Sequence, residues 1–331
     1  MTRIVGPFVA ALVLCGVLAI EEGRLAARFQ DPQQAPVFRS GASAVMVDVN
    51  VRDSSRRVIT DLGAADFTVL DNGVPQHVDD VSYGRLPIDV TVGLDISYSV
   101  TGPMLEQLRR AVSQLMRDLR TGDRLKLMLF NMRLTRTVDF TSDIAPVERA
   151  LQTAAAGGGT ALFDALSVAM ITASDPVRRQ LIVFFTDGND ATSTTLPATL
   201  EQIAQRSRAT VSFVMSLAAS AVPNAGPTPS VTARSAGMSP LTPAGSSSTT
   251  RVLVMSPVVQ QLAADTGGAV LMASMSSTLG TMFLQILDNF RTTYVLYYSP
   301  RGVDQGGFHT ISVSVNRPGA IVQARRGYFD R

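Results

Sequence analysis

Valines alternate with polar residues at the start of the readable pattern: Val45, Val47, Val49 and Val51 take every second position, the period of a strand with one buried face. Residues 67–70 read as a second strand, closed by the turn signal Asp71-Asn72-Gly73, and 77–83 as a third. No helical period interrupts 44–83. After Pro87 the rhythm changes. Ile88, Val90, Val92 and Leu94 form an apolar strand that ends on Asp95, and Leu105, Leu108, Val112, Leu115 and Leu119 follow at helical spacing. Strands at 125–130, 181–185, 211–217 and 269–272 then alternate with helices at 147–155, 161–173, 197–207, 258–266 and 279–290. Continuous apolar strands between amphipathic helices predict an α/β fold, a doubly wound and mainly parallel sheet with helices on both faces.

Beyond residue 292 the strand period returns at 294–298, 310–315 and 321–325, with Gly306-Gly307 and Pro318-Gly319 as turns. Open sheets of so few strands are marginal alone. The two end segments, 37–86 and 292–331, are therefore expected to pack together as a small flanking β-sandwich-like unit, with a shared core that includes Val47, Val49, Phe67 and Val295. Two stretches fall outside the strand and helix periods. Residues 1–20, with Arg3 ahead of an uncharged apolar run, read as a signal peptide or an uncleaved membrane anchor, followed by a polar linker at 21–36. The protein is thus expected to be exported, to the periplasm, the cell envelope or the medium. Residues 218–250, rich in Ser, Thr, Pro, Ala and Gly with Arg234 as the one charge, read as a flexible insert.

Composition removes whole classes of chemistry. The single cysteine, Cys15, lies inside the apolar N-terminal run, and the histidines are His77 and His309 alone, so disulfides and ordinary structural zinc sites are excluded. Lysine chemistry has one candidate, Lys126. Basic residues number 29 against 27 acidic ones, and the arginine pairs are scattered, so no clustered footprint for nucleic acid exists.

What remains is oxygen chemistry at strand ends, where ligands of a doubly wound sheet bind. Asp95-Ile96-Ser97-Tyr98-Ser99 follows one apolar strand, Gly157-Gly158-Gly159-Thr160 precedes a helix, and Thr186-Asp187-Gly188 follows another strand. Two carboxylates and three hydroxyls, without nitrogen or sulfur, suit a hard cation such as Mg²⁺. Helix capping and turn formation are the plainer uses of the same residues.

This constellation resembles the metal-ion-dependent adhesion site (MIDAS) of von Willebrand factor type A (VWA) domains, over 87–291. Asp95, Ser97 and Ser99 match the family's first loop, Thr160 the second and Asp187 the third; Val100 stands where many members have Met. The flanks, from Val47-Asp48-Val49 to Pro75-Gln76 and from Tyr294 to Arg326-Gly327-Tyr328, are similar to a bacterial exported VWA-related family. The resemblance implies a Mg²⁺ site, with Mn²⁺ or Ca²⁺ as substitutes, that takes up a Glu or Asp of a partner protein. It implies an adhesion or protein-binding module, not an enzyme, touching a membrane only through an uncleaved anchor. A structural envelope protein with a fold-stabilising metal is the alternative. A metal-dependent phosphoester hydrolase is less well supported, because Ser97 stands where haloacid-dehalogenase-type phosphatases place a second Asp.

Overall fold

A computed structural model describes residues 44–100, 102–172, 178–215, 256–273 and 278–330, all within the unit Phe38–Arg331. The signal or anchor at 1–20, the linker at 21–36 and the insert at 218–250 lie outside the described residues.

The valine alternation becomes β1 (Val45–Arg52), buried at every second residue. β2 (Phe67–Asp71) turns through Asn72 and Gly73, both at positive φ, into β3 (Val74–Gln76). That two-residue turn holds β3 against β2. The chain then crosses to another sheet as β4 (Asp80–Tyr83). Of the strand expected at 77–83 only 80–83 forms, with 77–79 as the crossing, and β3 was not expected.

Next come β5 (Ile88–Asp95), α1 (Pro103–Asp118), β6 (Arg124–Phe130), β7 (Leu134–Thr141), α2 (Ile144–Gln152), α3 (Leu162–Ile171), β8 (Arg179–Thr186), α4 (Pro197–Arg206), β9 (Thr210–Met215), α5 (Pro257–Thr266), β10 (Val270–Met272) and α6 (Leu279–Arg291). These build a six-stranded sheet in the order β10-β9-β8-β5-β6-β7. It is parallel throughout except for β7, an antiparallel edge that the sequence pattern does not announce. Both faces are covered. Val90, Val92 and Leu94 of β5 and Leu181, Val183 and Phe185 of β8 pack with α1, α2 and α6. Ile182 and Phe184 face α3, α4 and α5. Gly93 leaves the space that the Phe184 ring fills; a Cβ there would run into that ring.

After α6 the chain forms β11 (Tyr294–Tyr298), β12 (Gly307–Val315), β13 (Ile321–Ala324) and β14 (Gly327–Asp330). Two four-stranded antiparallel sheets result, β13-β1-β11-β4 and β14-β12-β2-β3. Each mixes strands from both ends of the chain, as the marginality of small sheets requires. Val47, Val49 and Phe67 share a core with Tyr294, Leu296 and Tyr298. Val295 does not belong to it. In a strand of period two, Tyr294, Leu296 and Tyr298 take the inner face, so Val295 is buried on the outer one. The tyrosines are admitted because their hydroxyls are satisfied. Tyr294 Oη donates to the Ile59 carbonyl at 2.9 Å, and Tyr298 Oη donates to Asp71 Oδ2 at 2.9 Å. Asp71, fully buried, also meets His309 Nδ1 at 2.8 Å and Tyr328 Oη at 2.8 Å.

Candidate metal centre

The candidate residues converge where β5 and β8 stop at their carboxyl ends. β5 delivers Asp95 into a fully buried position. Asp95 Oδ1 accepts the Ser97 N–H at 2.9 Å, which bends the chain out of the strand. Asp95 Oδ2 accepts the Thr186 hydroxyl at 3.1 Å, tying the end of β5 to the end of β8. Burial pushes the Asp95 carboxyl up to about 6; hydrogen bonds from Ser97 and Thr186 oppose the rise, and the charge of Asp187 adds to it. The largest influences on it, burial and the neighbouring Ser97, Asp187 and Thr186, include no cation.

Ser97, itself buried, holds its Oγ 3.0 Å from Ser99 Oγ. The loop is stitched to the glycine turn by two backbone bonds, Tyr98 N–H to the Gly158 carbonyl at 3.1 Å and Gly157 N–H to the Ile96 carbonyl at 2.8 Å. Asn131, just past β6, fastens the same turn. Its Nδ2 donates to the Gly157 carbonyl at 2.8 Å, and its own carbonyl accepts the Ala161 N–H at 2.7 Å. Gly158 sits at φ +82°, a backbone that L side chains rarely adopt.

Thr160 is buried just ahead of α3, and its carbonyl accepts the N–H groups of Ala191 at 2.9 Å and Thr192 at 3.1 Å. α3 has no side-chain cap of its own on Ala161. The loop after β8 supplies one: Phe163 N–H donates to Asp190 Oδ1 at 3.1 Å and Asp164 N–H to Ser193 Oγ at 3.1 Å. In return the Asp164 carboxylate accepts N–H bonds from Thr194 and Thr195, at 3.0 Å and 2.8 Å. Asp187 opens this loop, and its Oδ1 accepts the Asn189 N–H at 3.0 Å. Gly188 follows at φ +81°, where a Cβ would collide with the Met215 methyl.

Of the five predicted residues, Asp95, Ser97 and Ser99 are in one continuous arrangement, and Asp187 is near enough for its charge to act on Asp95. Thr160 is tied by its backbone to the Asp187 loop; among the described residues no hydrogen bond joins its hydroxyl to the other four. Thr186, Asn131, Asp164, Asp190 and Ser193 position the loops and were not singled out from sequence. Thr186 was visible only as a member of its Thr-Asp-Gly triplet.

The donor set suits a small hard cation. Mg²⁺ takes octahedral oxygens at about 2.0–2.1 Å, so adjacent ligands lie about 3.0 Å apart. The Ser97 and Ser99 hydroxyls have that separation. Among the described residues no group of three or more His, Cys, Asp or Glu is placed to hold a metal. A cation here would be held by two carboxylates and neutral hydroxyls.

Comparison with known proteins bears on the fold. The family model described as von Willebrand factor type A domain matches residues 90–189. No curated protein sequence matches the chain. Among solved structures, a von Willebrand factor type A protein from Catenulispora acidiphila is similar at 14% identity and a TM-score of 0.45, covering 86% of this chain and 73% of that one. The conserved hypothetical protein BatB from Bacteroides thetaiotaomicron is similar at 20% identity and a TM-score of 0.42, covering 61% of this chain and 98% of that one. A mutant of the PilB minor pilin from Streptococcus sanguinis is similar at 14% identity and a TM-score of 0.41, covering 63% and 62%.

Proposed function

The chain carries a von Willebrand factor type A domain over residues 90–189, and we propose that it is an exported protein-binding module whose partner is held through a divalent cation. VWA domains are commonly protein-interaction or adhesion modules and are generally not enzymes. In this reading Ser97, Ser99 and Thr160 offer neutral hydroxyls, and Asp95 and Asp187 balance the charge directly or through water. A bound Mg²⁺ would supply a positive centre with open or water-filled positions that a Glu or Asp of a partner can take. The neutral hydroxyls leave that centre short of negative charge, which favours the partner's carboxylate. One observation carries the reading: a buried carboxylate whose largest influences include no cation, beside two hydroxyls 3.0 Å apart. A group so buried calls for a compensating positive charge.

Export rests on the apolar run at 4–20. Among the described residues no helix is long and apolar enough to cross a membrane.

Thermal melting in millimolar Mg²⁺ and in chelator, at matched ionic strength, tests the site. A ligand that binds only the native state stabilises by RT ln(1 + [L]/Kd), about 2.7 kcal/mol at 100 times Kd. Wild type should gain several degrees. Asp95→Ala, which removes a carboxylate outside the apolar core, should gain far less. Thr160→Ala should lie between, since water replaces a neutral ligand. An equal gain in all three would remove these residues from the site.

A further inference from the structure

We infer that the exposed side chains of Tyr98 and Met132, standing beside the side-chain-free Gly157-Gly158 turn, form a docking face that selects a partner segment with an apolar residue next to its acidic one. This rests on the reading that the acidic residue is bound through a cation at the adjoining loops.

Tyr98 lies between two of the candidate ligands and is 77% exposed, while Met132, in the connection from β6 to β7, is 54% exposed. Both adjoin the glycine turn. A side chain on Gly157 would lie 3.7 Å from Tyr98 Cε1, and one on Gly158 would lie 3.5 Å from Met132 Cγ. A tyrosine ring and a thioether thus flank a floor of bare backbone. The floor is rigid, because the Gly157 and Gly158 carbonyls are already taken by Asn131 Nδ2 and Tyr98 N–H. The face is therefore largely formed before a partner arrives, which lowers the ordering cost of binding. Exposed tyrosine and methionine suit the centre of a protein interface, where aromatic and flexible apolar side chains carry much of the affinity.

Charge points to the same partner. Arg133, next to Met132, is exposed, and among the described residues its guanidinium makes no ion pair. With a cation between Asp95 and Asp187, the face presents positive charge beside an apolar surface. That combination fits an acidic residue with an aliphatic or aromatic neighbour, in a protein segment extended enough to lie across the turn.

A displayed library of random peptides, selected on the full protein in Mg²⁺, tests this. Enriched peptides should pair Asp or Glu with an adjacent apolar residue. An enriched peptide should then bind Met132→Ser and Tyr98→Ser about tenfold more weakly than wild type, the loss expected when an interface anchor worth about 1.4 kcal/mol is truncated. Met132→Ser should keep the Mg²⁺-dependent gain in melting temperature, showing that the loops are intact. Chelator-sensitive binding that neither variant weakens overturns the docking face and leaves the metal reading standing. Chelator-insensitive binding that both variants weaken supports the face and removes the metal reading. Enrichment without apolar neighbours, or no enrichment, overturns the inference.

Discussion

Asp95 combines two demands that oppose each other. Its position at the end of β5 buries it completely, and burial with the charge of Asp187 nearby disfavours the ionised form that a cation would need. Such a residue destabilises the fold so long as nothing positive sits beside it. Asp95→Asn keeps the shape and the acceptor for Ser97 N–H but deletes the charge. In chelator near neutral pH this variant should melt at or above wild type. In Mg²⁺ the order should reverse, because wild type gains and the variant does not. Paired thermal melts decide it, and a variant that melts lower in both conditions would mean Asp95 serves the fold alone. The ligand candidates were legible because oxygen side chains directly after apolar strands are chemically conspicuous. Thr186 and Asn131 were not, since they act by holding Asp95 and the Gly157 carbonyl in place, and single turn residues carry no signature of such service. Val295 was misplaced for a related reason. A phenol reads as half polar, and only the partners of Tyr294 and Tyr298 show why the tyrosine face turns inward.

Helix α3 and the loop after β8 show how one element borrows from another. The uncapped N–H groups of Phe163 and Asp164 are satisfied by Asp190 and Ser193, and Asp164 repays the loop by accepting bonds from Thr194 and Thr195. Thr160 precedes the helix and Asp187 precedes the capping residues, so the exchange sets their relative placement. Burial raises the Asp164 carboxyl, but bonds from Thr195 and Thr194 outweigh it and hold the group below its ordinary 3.8. A carboxyl lower in the folded chain than in the unfolded one stabilises the fold above the unfolded value, and the gain fades as pH falls through the lower one. Wild type should therefore melt above Asp164→Asn near neutral pH, and the gap should narrow as pH drops below 3.8. A gap that stays constant into acid would show that the carboxylate's charge contributes nothing. Long elements with strong periods were readable in advance. β7 was not, because an exposed edge strand such as Leu134–Thr141 carries Thr, Arg and Asp where a core strand would carry valine. β14, four residues at the end of the chain, has too little length to show a period.

At the scale of the whole molecule, β1 belongs to two packing systems at once. Its odd positions, Val45 to Val51, enter the sandwich core. Its even positions look like the solvent face of a half-buried strand, and sequence alone gives no reason to read them otherwise. They are instead the seam with the parallel sheet. Arg179 Nε donates to Asp48 Oδ1 at 2.7 Å, Nη2 stands 2.7 Å from the same oxygen as an ion pair, and the guanidinium, 1% exposed, lies 3.9 Å over the Phe290 ring. Asn50 and Arg52 bond Asn289 at the end of α6. The polar half of the alternation was visible, but its partners lie more than a hundred residues away in the chain. Breaking a buried pair by removing one partner typically costs about 3–5 kcal/mol, whereas replacing both with apolar groups of similar volume is often neutral. Asp48→Ala should thus lower the unfolding free energy by about that much in urea. Arg179→Met together with Asp48→Ala should recover most of the loss, since methionine keeps contact with Phe290 and carries no charge. If instead the double variant falls as far as the sum of the two single ones, the pair is not coupled. The seam must then be held by the α6 contacts of Asn50 and Arg52.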